Sequence, residues 1–302
     1  MDGGAKPRHD DNTLAMAARD SFKPPRMLSA GTANQRSAFM GLPALLEVRG
    51  LCKDFGGLRA LQAVDLDVHE GEIAGIIGPN GSGKTTFFNV LCGIHPATSG
   101  RIRFGEHADI TRLAPHRVTR SGIARTFQNQ RLFNQMTVLE NVLAGMVART
   151  RAGLLPIMFG MPGARAEKAA AEQRAVELLG LFGTRLTPRR DRQAFSLSYA
   201  NRRRLEIARA LATEPRLLLL DEPAAGMNPS ETRELMGDIQ RIRDAGLTIL
   251  LIEHDMRLVK GICSRVVAFD HGVKITEGSF ADVRNHPAVI EAYLGHRAAA
   301  AA

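Results

Sequence analysis

The sequence predicts an α/β protein, a mixed core interrupted by a helical insertion, and three observations carry that prediction. Residues Gly78, Pro79, Asn80, Gly81, Ser82, Gly83, Lys84, Thr85 and Thr86 fit the phosphate-loop pattern Gly-x4-Gly-Lys-[Ser/Thr], which sits between a strand and a helix. The flanks agree: residues 72–77 are a short apolar run and residues 86–91 continue with helical apolar spacing. Further on, the apolar run 217–220 ends in two carboxylates, Asp221 and Glu222. A buried strand delivers such groups at the edge of a parallel sheet where ligands sit. The order of segments completes the case, being β-rich, then α-rich, then alternating, as one α/β core with a helical insertion requires.

Taken in order, residues 1–44 hold Gly, Pro, Ala, Ser, Asp and Arg without a sustained period and read as a disordered extension, in which Met27 and Met40 offer alternative starts. Residues 45–48 read as a short strand, 63–68 and 101–104 as alternating, half-buried strands, and 69–72 as a turn. A helix is expected over 137–150, with Val138, Val142, Leu143 and Met146 on one stripe. A loop over 153–163 and helices over 164–182 and 203–213 follow. Strand character returns at 217–220, 247–252, 266–269 and 273–275. One domain over 45–295, its helical part at about 130–205, and a tail at 296–302 complete the plan.

Composition narrows the function. No apolar run approaches the roughly 18 residues that span a bilayer, so a membrane role would act through a partner. No charged n-region and apolar h-region open the chain, so secretion is not expected. Cys52, Cys92 and Cys263 lack metal spacing and read as reduced thiols in or near a core. The net charge of +9 leaves nucleic acid, an anionic membrane surface or no specific partner open. The densest basic segments, 185–192 and Arg202-Arg203-Arg204, have no interleaved aromatics, so sequence-specific nucleic-acid binding is not expected.

The candidate residues suit phosphoryl transfer. Glycines let successive backbone N–H groups approach phosphate oxygens, and a helix N-terminus adds positive potential. Lys84 would reach the β- and γ-phosphates and the Thr85 hydroxyl would ligate Mg²⁺. Of Asp221 and Glu222, one can hold Mg²⁺ and the next can polarise an attacking water. A second strand end offers His254, whose imidazole could bond a γ-phosphate oxygen or orient water. The Gln128 amide could ligate Mg²⁺ or position water.

These elements, with residues 198–204 between Gln128 and Asp221, resemble an ABC ATPase, the nucleotide-binding subunit of an ABC transporter, over about residues 45–295. Phe55-Gly56-Gly57-Leu58, Arg125-Thr126-Phe127-Gln128, Ile252-Glu253-His254-Asp255-Met256 and Glu291-Ala292-Tyr293-Leu294-Gly295 are similar to the ATPases of branched-chain amino-acid importers, the LivG kind. The resemblance implies a P-loop NTPase (RecA-like) core with an antiparallel β subdomain. It implies Phe55 stacking on adenine, Gln128 sensing the γ-phosphate and Mg²⁺, Asp221 holding Mg²⁺ through water, Glu222 as general base and His254 as the switch histidine. Ser198, Tyr199, Ala200 and Asn201 occupy the signature that would cover ATP held by a second ATPase subunit, the same chain or a different one. Separate permease subunits and, indirectly, a substrate-binding protein are implied partners, with the chain peripheral at the cytoplasmic face of the inner membrane. Other cargoes (urea, amides, lipopolysaccharide) and a soluble, non-transport ABC ATPase stay open. The signature departs from the usual Gly-Gln at Ala200-Asn201. An ordinary helix start would leave the added methyl harmless, whereas a positive φ would strain it by about 1 kcal/mol.

Overall fold

Short, predominantly apolar runs become strands covered on both faces. In the computed structural model, which describes residues 44–106, 108–128, 131–147 and 162–299, β3 (Ile73–Ile77), β7 (Leu217–Asp221) and β8 (Thr248–Ile252) are buried at every residue. With β6 (Ile123–Arg125), β9 (Arg265–Asp270) and β10 (Val273–Gly278) they form a sheet in the order β10-β9-β3-β8-β7-β6. Five of its strands run parallel and β10 pairs antiparallel with β9. Strands that alternate instead, β1 (Ala44–Phe55), β2 (Leu58–His69), β4 (Ser99–Phe104) and the short β5 (Ala108–Asp109), build an antiparallel sheet in the order β2-β1-β4-β5.

Between the sheets lies α1 (Lys84–Leu91). Its Phe87 and Phe88 join Leu46, Val48, Leu66 and one face of β7 and β8 (Leu217, Leu219, Leu250, Ile252) in one core. The opposite face, Leu218, Leu220, Ile249 and Leu251, packs on a helical layer. That layer contains α3 (Val138–Met146), α4 (Pro162–Gly180), α5 (Tyr199–Leu211) and α6 (Pro229–Asp244). Each fully buried Leu contributes about 2 kcal/mol, so a charge at Leu219 or Leu220 would open one core or the other. The helices α2 (Pro115–Ser121), α7 (Met256–Ile262), α8 (Phe280–Arg284) and α9 (Pro287–Ala299) flank the sheets.

Several expected boundaries move. The strand expected at 45–48 runs on to Phe55, because β2 pairs with it from Ala44 to Phe55 across several register shifts. The helix expected over 164–182 spans Pro162–Gly180, and the one over 137–150 has Thr137 as its N-cap in a capping box with Glu140. The helix expected at 203–213 begins four residues earlier at Tyr199, where Ser198 caps it by accepting the Asn201 N–H. Residues 296–299, expected as tail, continue α9. The disorder expected for 1–44 falls outside the described residues except at Ala44, and most of the 153–163 loop also falls outside them.

The basic segment Arg202-Arg203-Arg204 is not a solvated patch. Arg203 and Arg204 are among the largest fully buried side chains, each neutralised by an internal carboxylate. Burial holds the Cys92 thiol up at about 11 and pushes the Cys263 thiol up further. Both read as packing groups rather than nucleophiles.

Candidate active site

β3 delivers the chain to Gly78 at the centre of the parallel sheet. A Cβ there would run into the Phe269 carbonyl, so only glycine lets the loop leave the strand in this direction. Gly83, at φ 98, precedes α1 without any side-chain cap. The first-turn N–H groups of α1 therefore have no intrahelical acceptor and face outward as anion donors. Lys84 folds back over the loop, donating to the carbonyls of Gly78 and Pro79 (2.8 Å each) and to Ser82 Oγ (3.3 Å). Burial lowers its pKa, opposed by the charges of Glu222 and Asp221. A buried ammonium facing two carboxylates is a group that an anionic ligand would stabilise.

Above the loop opens a cavity of about 680 Å³. It gathers most of the residues expected at the site: Phe55, the loop from Asn80 to Thr86, Gln128, Glu222 and His254. Gly78 and Pro79 form the root of the loop and do not line the cavity. Phe55, 39% exposed, ends β1 with its ring edge-on to His95 at 5.2 Å and with Lys53 Nζ 4.6 Å from its centroid.

The two carboxylates after β7 differ sharply. Asp221 is buried, with one oxygen paired to Arg125 at 2.7 Å while Oδ1 has no partner. Arg125 also donates to Asn89 Oδ1 at 2.6 Å. Glu222 turns the other way, at φ 47, a left-handed conformation that costs a non-glycine residue about 1 kcal/mol. Its Oε2 accepts from Gln128 Nε2 and its Oε1 lies against His254 Nε2, each at 3.0 Å. Strained backbone of this kind collects at functional sites. Beneath His254, the buried Glu253 carboxylate accepts the N–H groups of Ala224 (2.8 Å), His254 (2.9 Å) and Asp255 (3.3 Å). Burial raises its pKa, and these three donors oppose the rise.

The signature segment lies apart from this cavity. Ser198 and Tyr199 are exposed at the start of α5, Asn201 is half-buried, and none of the four lines the cavity. Ala200 is 2% exposed and its φ is not positive. It is buried within this chain as an ordinary helical residue, so the strain that a left-handed backbone would bring is absent.

Sequence reasoning missed Arg125, Asn89, Glu253 and the Arg203–Glu206 pair. Arg203 and Glu206 are three apart on one helix, a spacing that brings opposite charges together, but nothing in the pattern marked them as internal.

A family model described as "ABC transporter" matches residues 61–225, and one described as "Branched-chain amino acid ATP-binding cassette transporter" matches residues 273–299. The chain is 45% identical over 252 residues to the high-affinity branched-chain amino acid transport ATP-binding protein LivG of Salmonella typhimurium, covering 83% of this chain and 98% of that protein. It is 43% identical to BraF of Pseudomonas aeruginosa over the same shares. The solved structure of a nucleotide-free ATP-binding cassette from an ABC transporter superposes with a TM-score of 0.72 at 32% identity, covering 83% of this chain and 99% of that one. A solved ADP conformation of an ATP-binding cassette of an ABC transporter gives 0.72 at 32% identity, over 84% and 99%. The family match over residues 61–225, together with 45% identity along 98% of a curated ATP-binding protein, places this chain in the ABC transporter family as an ATP-binding cassette whose activity is ATP hydrolysis.

Proposed function

We propose that this chain energises an importer of branched-chain (hydrophobic) amino acids, as a peripheral subunit at the cytoplasmic face of the inner membrane. The cargo is supported by the names of its relatives and by the short C-terminal match at 273–299. Among the described residues no helix is long and apolar enough to cross a membrane, so separate permease subunits would form the path. A substrate-binding protein would meet the permease, and nucleic acid has no part. Two cassettes, alike or different, would close on ATP, the exposed Ser198 and Tyr199 of each meeting the nucleotide held by the other.

The observation that carries the catalytic reading is the Glu222 carboxylate, held from two sides by Gln128 and His254 at the mouth of a cavity floored by uncapped N–H groups. Phe55 would offer its ring face to adenine. Gly78, Pro79, Asn80, Gly81, Ser82, Gly83, Lys84, Thr85 and Thr86 would hold the triphosphate. Mg²⁺ suits the oxygens present, namely the Thr85 hydroxyl, the unpartnered Asp221 Oδ1 and the Gln128 amide. When bound, it would neutralise phosphate charge. Glu222 acts as the base, accepting a proton from water, while His254 and Gln128 fix the carboxylate's orientation.

Calorimetry and turnover test this. Lys84→Ala abolishes MgATP uptake, and Glu222→Gln keeps uptake but lowers kcat by at least about 100-fold. Retained turnover in Glu222→Gln would sink the catalytic reading. Leucine uptake by proteoliposomes holding the chain, its co-purified permease and the substrate-binding protein tests the cargo, and a failure of MgATP to drive leucine uptake would refute the assignment.

A further inference from the structure

We infer that the buried Arg203–Glu206 pair is a positioning device that fixes the backbone carrying Gln128 and joins it rigidly to the signature end of α5. The inference deepens the catalytic reading above and rests on it.

β6 ends at Arg125, so the chain at Phe127 and Gln128 has left the sheet and its polar backbone groups need other partners. Arg203 and Glu206 supply them. Arg203 Nη1 donates to the Phe127 carbonyl at 2.7 Å and Nη2 to the Gln128 carbonyl at 3.0 Å. Glu206 Oε1 accepts the Phe127 N–H at 3.1 Å, and its Oε2 closes the ring with Arg203 Nη1 at 2.8 Å. Both side chains are buried, Arg203 at 0% and Glu206 at 2% exposure. A buried ion pair is a poor source of stability, because desolvation offsets most of its attraction. What it does supply is geometry: a planar guanidinium spans two successive carbonyls in a fixed fork.

The neighbouring groups divide cleanly. Arg204 turns away to Asp238 and Glu234 on α6, and Arg209, the other cation near Glu206, lies over the Phe133 ring. Among the described residues, Arg203 is the member of the basic triplet that bonds the Gln128 segment. From there Gln128 reaches Glu222. Along α5, Ser198 stands five positions before Arg203, about 7.5 Å at helical rise. The catalytic carboxylate of one cassette and the segment offered to its partner are thus linked through one charged pair.

The test uses the full chain with Arg203→Lys, which loses the two-carbonyl fork, and Glu206→Gln, which keeps an acceptor but loses the charge. Folding is checked by thermal melts. Should either variant unfold, Arg203→Met/Glu206→Leu replaces the pair by apolar groups of similar volume. The expected result is a fall in kcat of about tenfold with KM and the MgATP Kd within about twofold. Gln128→Ala lowers kcat by itself, and in its background the same substitutions cost no more than about a further twofold, since their effect passes through Gln128. A full tenfold loss persisting in that background, unchanged kcat in a folded variant, a rise in Kd or KM at constant kcat, or a fully active Gln128→Ala would each overturn the inference. The controls separate the two levels. If Lys84→Ala still takes up MgATP or Glu222→Gln still turns over, the site reading falls and this inference with it. If the controls behave and the cycle is additive, only the positioning role falls.

Discussion

Replacing Ala200 by glycine restores the residue usual at this signature position, and the structure predicts a loss rather than a gain. Ala200 is the second residue of α5, with a φ that is not positive and its methyl 2% exposed. Glycine in a helix costs about 0.5–1 kcal/mol through backbone entropy. Withdrawing a buried methyl removes about 0.8 kcal/mol more. The sum, about 1.5 kcal/mol, corresponds to a melting temperature lower by about 3–6 °C for a domain of this size. Ser198 and Tyr199, the residues of this segment that reach solvent, keep their places, because the cap and the helix behind it do not involve the Ala200 side chain. Circular-dichroism melts of wild type and Ala200→Gly, with steady-state ATPase rates on the same preparations, give both readouts. The expected outcome is a lower melting temperature and a rate within about twofold of wild type. A rate gain of fivefold or more (on the order of 1 kcal/mol of barrier), or an unchanged melting temperature, would refute the reasoning and show that the methyl faces the nucleotide of a partner instead of this chain's core.

Other changes test the scaffold around the loop. Gly78→Ala forces a Cβ against the Phe269 carbonyl at a φ of 154, so the loop shifts at a cost of about 3 kcal/mol and MgATP affinity measured by calorimetry drops by about 100-fold. Arg204→Met leaves Asp238 buried with its principal partner gone and lowers unfolding free energy in urea by about 3–5 kcal/mol, most of which Arg204→Met/Asp238→Leu recovers. Burial raises the folded-state pKa of Glu253 above its ordinary 4.5. The folded chain then binds more protons than the unfolded one in the window above 4.5, so this group's share of stability is present below that value and is lost as pH rises through the raised pKa. Urea midpoints for Glu253→Gln minus wild type therefore climb with pH from 4.5 upward, and a flat or falling difference would contradict the assignment.

The phosphate loop was legible because its chemistry is local. Glycines, lysine and threonine at fixed spacing dictate a turn, a helix start and a charge, whatever surrounds them. β7 and β8 were legible for a related reason, since a run of four apolar residues followed by an acid has few other uses in an α/β chain. The start of α5 was not, because the Arg202-Arg203-Arg204 run looks like a polar beginning and masks the Ser198 cap. The partners of Asp221 lay beyond sequence reasoning altogether. Arg125 and Asp221 are 96 residues apart and meet only because β6 pairs with β7 in parallel register.

Internal pairing also changes the meaning of the chain's positive charge. Arg125, Arg203 and Arg204 are internal and paired with Asp221, Glu206 and Asp238, so a composition of +9 describes no basic face at these positions. Each of these arginines satisfies a polar group on an element different from its own, or on a loop that has left the sheet. A lysine could neutralise the same carboxylates but could not span two acceptors in a fixed plane. Arginine at these positions is therefore explained by geometry inside the cassette, and attraction to an anionic surface is not needed to account for it.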